Sequence, residues 1–361
     1  MPTYLDRDSF SHRLLAEKLF PGNTSGEFHE SAANCLDIAL INNMPDAALK
    51  ATERQFMTLL AAAADGIVVR LSLYALPEVP RTVPGRRHIG SYYSSVESMW
   101  DRHLDGIIMT GTEPRASNLA DEPYWASMTR VFDWAEHNTH SAIWSCLAAH
   151  AAVLHCDGIA RRRLSEKRFG VFECTRISNH PLTAGIQSRL VMPHSRWNDL
   201  RERDLTACGY SVLTRSEDAG VDAFVKQGKS LSVYFQGHPE YEANSLQLEH
   251  SRDVGRYLRR EIGTYPPMPH GYFDQDNADA LTAVRDRAVC HPREELLSDL
   301  QAALAGRNLA NPWRPAAARV YGNWLKYLCS QKERRLKEQQ GRKESGREKA
   351  SIPARRFATG D

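Results

Sequence analysis

With 361 residues, 42% of them hydrophobic and 25% charged, the chain can bury one large core or two smaller ones. It has no run of about 18 uninterrupted apolar residues, and its opening "MPTYLDRDSFSHRLL" lacks the basic and apolar stretches of a signal peptide. Its seven scattered cysteines (35, 146, 156, 174, 208, 290, 329) include no C-x-x-C pair. This argues against a disulfide framework or structural zinc and for a reducing cytoplasm.

Residues 1–35 read as a polar lead-in with one amphipathic helix, "SFSHRLLAEKLF". From residue 36 the pattern alternates: "LDIALIN" is an apolar, β-branched strand, and "TERQFMTLLAAAA" has helical spacing. "GIVVRLSLY" predicts a strand, residues 77–91 a Pro/Gly/Arg-rich loop, and "SSVESMWDRHL" a helix. "DGIIMTG" is strand, "WASMTRVFDWAEHN" helix, and "SAIWS" a strand running into a helix that begins near Cys146. Such alternation predicts an α/β fold with a doubly wound, mostly parallel sheet flanked by helices. Beyond residue 165, "GVFECTRI", "RLVMPHS", "YSVLTRS", "DAFVKQ" and "SLSVYFQG" follow quickly. This β-rich second half is expected to add antiparallel strands to one sheet edge. Residues 331–361 hold ten Lys/Arg against five Asp/Glu, which leaves the rest near −3 of the total +2. They read as a basic, mostly disordered tail, with helix through "KERRLKEQQ" the exception. Interleaved acids and scarce aromatics argue against a nucleic-acid arm.

In an open parallel sheet, ligands sit beyond the carboxyl ends of the strands. "MTGTEP", "SCLA" and "GHPEYE" all fall at such ends. A thiol at a strand-to-helix turn lies by the positive end of a helix dipole, which favours the thiolate. Neighbouring backbone N–H groups can hold a developing oxyanion. His238 could carry the proton and Glu240, two residues on, could orient it. Taken singly, a cysteine in an apolar run is usually a small core residue, and His-Pro-Glu usually a turn. Their joint position at strand ends favours chemistry. Cys146, His150, His155 and Cys156 have partial metal-ligand spacing, but without a second regular pair they do not make a zinc site, and no metal is expected.

Eight stretches in order then carry a resemblance: "ALINNMPDAALKATERQFMTLL", "DGIIMTGTEPRASNLADEPYW", the Cys146 segment, "SEKRFGVFE", "MPHSRWNDL", "GHPEYEANSL", "SRDVGRYL" and "NPWRPAAARVYGNWLKYL". Over residues 36–330 the chain resembles the homoserine O-acyltransferase (homoserine O-succinyltransferase) family of methionine biosynthesis, whose fold is like that of class I glutamine amidotransferases. The resemblance implies acyl transfer from acyl-CoA, as co-substrate without a bound cofactor, to homoserine through a thioester on Cys146. His238 would be the base and Glu240 its orienter. Lys167, Ser195 and Arg252 would bind the amino-acid substrate, and the backbone at Leu147 and Thr112 would form the oxyanion hole. The implied partners are these small molecules and, as the commonest assembly of such enzymes, a second copy of the chain; no membrane or nucleic acid is implied.

The departures are specific. Leu147 stands where the family usually has tryptophan, and "MPDAALK", with Asp46, two extra residues and Lys50, replaces "MPKK". Glu113 takes a usual proline, and Arg115 falls where the family's acyl-donor choice is thought to be set. Members with a small residue there resemble succinyltransferases and those with glutamate acetyltransferases; an arginine matches neither pattern, and its expected role is to pair with a free carboxylate on the donor, favouring succinyl over acetyl. An insertion near 275–305 and the tail leave another amino alcohol, such as serine, open as acceptor. An amidotransferase-like hydrolase is the rival enzyme. It would use the same three residues, but it commonly has glycines where Trp144 and Ala148 stand. A non-catalytic binding protein is the third reading.

Overall fold

The structure, a computed structural model, describes residues 3–5, 34–305 and 309–350. The helix expected over "SFSHRLLAEKLF" lies outside these. In chain order the elements are β1 (Thr3–Leu5), β2 (Cys35–Ile41), α1 (Asp46–Ala63), β3 (Val68–Tyr74), α2 (Val83–Tyr92), β4 (Gly106–Thr110), α3 (Trp125–Asn138), β5 (Ser141–Ser145) and α4 (Leu147–Asp157). Then come β6 (Arg162–Arg176), β7 (Arg189–Asp199), α5 (Glu202–Ala207), β8 (Ser211–Ser216), β9 (Gly220–Gln227) and β10 (Leu231–Phe235). The chain continues with α6 (Ser245–Leu258), α7 (Gln275–Cys290), α8 (Leu296–Leu304) and α9 (Arg314–Ala350).

Among the described residues, the ten strands form one sheet in the order β1-β3-β2-β4-β5-β10-β9-β8-β6-β7. The pairs from β1 to β10 are parallel, and those from β10 to β7 antiparallel. The order β3-β2-β4-β5-β10 is the doubly wound arrangement expected, and the antiparallel strands extend one edge. The parallel strands are apolar on both faces because both are covered. On one face Ile38, Leu40, Val69 and Ile143 pack with Phe56 and Leu60 of α1 and Trp324 and Leu328 of α9. On the other, Ile41, Met109 and Trp144 pack with Met128, Phe132 and the alanines of α4.

Three local expectations are corrected. Residues 77–91, read as a loop, contain α2. Its N-cap Thr82 accepts from the Gly85 N–H, and Pro84 sits in the first turn, where it costs no hydrogen bond. "SSVESMWDRHL", read as a helix, forms only the short 3-10 turn Val96–Met99. Its buried Val96 and Met99 serve that turn's packing rather than a helical face. The basic stretch 331–350, expected to be mostly disordered, continues α9 beyond "KERRLKEQQ" to Ala350. The insertion forms α7 and α8, whose Leu281, Val284, Leu296 and Leu300 pack with Val254 and Leu258 of α6.

Candidate active site

Cys146 occupies the turn between β5 and α4 at φ 52°, ψ −109°. This is a backbone region that non-glycine residues seldom adopt unless the surroundings hold them there. Its N–H donates to the Phe235 carbonyl of β10 at 2.7 Å, and its carbonyl accepts from Ala149 and His150 at 3.0 and 3.2 Å. The residue is therefore tied to the neighbouring strand and to α4 at once. The residue is half-buried, at a strand-to-helix turn of the nucleophile-elbow kind. The close approach this requires is made at Gly111, where a Cβ would lie 2.3 Å from that of Leu147. Trp144 instead packs edge-on against Phe132 at 4.8 Å, and Ala148 is fully buried.

His238 and Glu240 follow β10 and are both buried. Glu240 Oε1 lies 2.8 Å from His238 Nδ1, and Nε2 has no hydrogen-bond partner among the described residues. Burial alone would lower the His238 pKa. The Glu240 charge and then Cys146 outweigh it and hold the ring well above the usual histidine range. The arrangement favours an imidazolium beside Cys146 Sγ, held in one orientation by the carboxylate.

The loop bearing this pair is fixed by distant segments. Its His238 N–H donates to Pro193 O at 2.8 Å. Gly237 sits where a Cβ would come 2.4 Å from Asp222 Oδ1. The Tyr241 carbonyl accepts from Asn311, Trp313 and Arg314 at 3.4, 2.8 and 3.3 Å, which gives the "NPWR" stretch its physical role. Gln236 Oε1 meets His150 Nε2 at 2.9 Å and accepts from Leu200 N at 3.0 Å. His150 is thus taken up by Gln236, and His155 faces Asp133 at 2.8 Å; neither completes a metal site with Cys146.

Lys167, Ser195 and Arg252 converge on two acidic residues of α6. Lys167 Nζ is 3.2 Å from Asp253 and 3.7 Å from Glu249, and 4.0 Å from the centre of the Phe169 ring. Ser195 Oγ donates to Glu249 Oε2, and Tyr241 OH to Glu249 Oε1. Arg252 pairs with Asp253 at 2.9 Å. Burial would raise the Asp253 pKa, but Lys167 and Arg252 hold it below the usual range. The Tyr241 ring stacks on His238 at 4.3 Å between centroids, which links this polar group to the base. Glu249, Asp253 and Tyr241 were not singled out from sequence. Only Tyr241 and Asp253 offered a signal, as neighbours of Glu240 and Arg252.

Arg115 and Thr112 line a pocket of about 300 Å³ together with Pro45, Val79, Pro80, Glu113 and Pro114. Leu147 opens α4, where its N–H has no partner within the helix. Asp46, at the departure in "MPDAALK", accepts from Thr82 N at 2.7 Å and meets Arg81 at 3.3 Å; Lys50 is exposed.

Behind the base, Cys174, His194 and Asp222 bring their polar atoms within 4.8 Å of one another. Arg196 Nε donates to His194 Nδ1 at 3.3 Å, which leaves Nε2 to carry the proton toward Asp222, 3.3 Å away. A metal would need that nitrogen bare, and burial pushes the Cys174 thiol far above its usual range. We read the cluster as packing beneath the 236–241 loop.

The family model for homoserine O-succinyltransferases matches residues 5–335. The chain belongs to this family. A homoserine O-succinyltransferase from Rhodopseudomonas palustris is 48% identical over 301 residues, 83% of this chain and 90% of the relative. One from Methylorubrum extorquens is 42% identical over 313 residues, 86% and 93% of the two chains. Solved structures similar to this family member include a glutamine amidotransferase from Methylobacillus flagellatus. It is 16% identical, covers 81% of this chain and 95% of its own, and has a TM-score of 0.46. Among the described residues of the family member, no helix is long and apolar enough to cross a membrane.

Proposed function

We propose that the chain transfers a succinyl group from succinyl-CoA to the hydroxyl of L-homoserine, a step of methionine biosynthesis. Cys146 Sγ forms a bond to the acyl carbon while the bond from that carbon to the coenzyme A sulfur breaks. The proton on His238 goes to the leaving thiolate. Homoserine then attacks the enzyme thioester, His238 takes its hydroxyl proton, and the Cys146 thiolate departs. The backbone N–H groups of Leu147 and Thr112 hold the oxyanion in both steps. Arg252 grips the substrate carboxylate, assisted by Lys167 and Ser195, and Glu249 and Asp253 offer the negative charge that an ammonium group needs. Arg115 faces the free carboxylate of the succinyl group from its pocket. Acyl-CoA is a co-substrate, and no resident cofactor is part of this mechanism. The unit proposed to do this is residues 36–330, in the cytoplasm, as a homodimer.

The observation that carries the reading is the strained Cys146 turn beside His238, whose ring interacts with Cys146 and whose Nδ1 Glu240 holds at 2.8 Å. The test is to weigh the intact protein after incubation with succinyl-CoA and no acceptor. We expect one succinyl adduct, absent in Cys146→Ser and discharged by homoserine. An adduct that persists in Cys146→Ser, or glutamine hydrolysis in place of any adduct, would overturn the mechanism. Discharge by serine in preference to homoserine would overturn the acceptor alone.

A further inference from the structure

The segment 111–118 that carries Arg115 has no regular structure, so its shape depends on what its backbone groups meet. Its start is pinned by Asn43, whose N–H donates to Thr110 Oγ1 at 2.8 Å and whose Nδ2 reaches Thr110 O at 3.2 Å. Its middle is held by one side chain. Glu122 Oε1 accepts the N–H of Arg115 at 2.5 Å and the N–H of Ala116 at 2.6 Å. Successive backbone N–H groups aimed at one oxygen are a common way for a turn to hold an anion. Here the anion belongs to the chain itself and is only 4% exposed. Asn118 accepts from Ala120 N at 3.2 Å and starts the short turn that returns Glu122 beneath the loop. The Arg115 guanidinium, by contrast, is exposed and has no hydrogen bond or ion pair among the described residues. It stands at the rim of the 300 Å³ pocket.

A clamped backbone thus carries a free cation. We infer that Glu122 is a positioning residue for acyl-donor choice: its grip on the Arg115 and Ala116 N–H groups holds the Arg115 side chain where the donor's carboxylate lies. The inference rests on the reading of Arg115 given above and adds the residue that makes it effective. Glu122 touches no substrate; it acts only through Arg115. A hydrogen bond to a charged group is worth enough to matter here, because a loop released from it spreads the guanidinium over many rotamers.

The test is the rate of Cys146 adduct formation and the steady-state kinetics of the full chain with succinyl-CoA and with acetyl-CoA. Glu122→Ala is expected to raise the KM for succinyl-CoA about ten-fold, leaving its kcat and the acetyl-CoA parameters essentially unchanged. Glu122→Gln, which keeps a carbonyl acceptor, should recover most of the loss. In the double variant Arg115→Gly/Glu122→Ala the second change should add nothing to the first. An unchanged donor preference in Arg115→Gly would overturn the Arg115 reading. A lowered preference there but an unchanged one in Glu122→Ala would overturn the role of Glu122 alone, as would additive losses in the double variant. Should Glu122→Ala not fold, Ala116→Pro removes one of the two donors and leaves both side chains in place. It should show the same selective rise, and a uniform loss with both donors would sink the inference.

Discussion

The parallel and antiparallel halves of the sheet contribute to the site in different ways. In the parallel half, the nucleophile is set by adjacent elements: β5 ends, the chain turns through an unfavourable φ, and α4 begins. In the antiparallel half, the contribution comes from residues within the strands. There β7 and β9 supply Pro193, His194, Arg196 and Asp222, a buried polar floor on which the 236–241 loop is seated. Cys146, the proposed nucleophile, is placed by local backbone geometry, whereas His238, the proposed base, is placed by side chains brought from afar. Damage to each half should therefore look different.

The largest effect should fall where the halves meet. His238→Ala is expected to slow discharge of the acyl group to homoserine by roughly 10²–10⁴-fold, read by following the adduct mass with time; discharge at the normal rate would remove His238 from the mechanism. Next in size is damage to the floor. Gly237→Ala drives a methyl group into Asp222 and should cost about 1–3 kcal/mol of stability while lowering activity. Urea unfolding measures it, and a full-strength melt with full activity would show that the floor does not seat the loop.

The smallest effect is a slope with pH. A histidine whose folded pKa lies above its unfolded value of 6.5 adds stability that is complete below pH 6.5. That increment is lost as pH rises through the folded value. Glu240→Gln removes the main upward pull on His238. Its stability deficit relative to the unaltered chain should be widest below pH 6.5 and shrink at higher pH. Melting curves at a series of pH values that stay parallel would show that Glu240 does not hold the imidazolium.

Much of the parallel half was legible because both its strands and its helices follow apolar periodicity, and Cys146 stood out at the break between them. α2 was hidden because Pro84 and Gly85 read as loop residues, although the first turn of a helix capped by Thr82 tolerates both. The helix read over residues 94–104 failed for the opposite reason: apolar spacing was present, but those side chains pack a 3-10 turn. Glu249 gave no periodic or motif signal, and Glu122, though inside the stretch "DGIIMTGTEPRASNLADEPYW", gave none of its role, since a carboxylate that accepts from a tyrosine, a serine or a loop backbone has no preferred spacing.

The order of residues alone determined which strands are covered on both faces, where the chain turns from strand to helix, and which three side chains we propose to pass a proton and an acyl group. Those are consequences of short-range periodicity and of residue chemistry. Only the tertiary structure decided that "NPWR" closes on Tyr241, that Lys167 and Arg252 share Asp253, and that Glu122 grips the Arg115 loop. These are pairings between buried polar groups far apart in the chain. Their partners are chosen by the need to satisfy each donor and acceptor once water has been excluded.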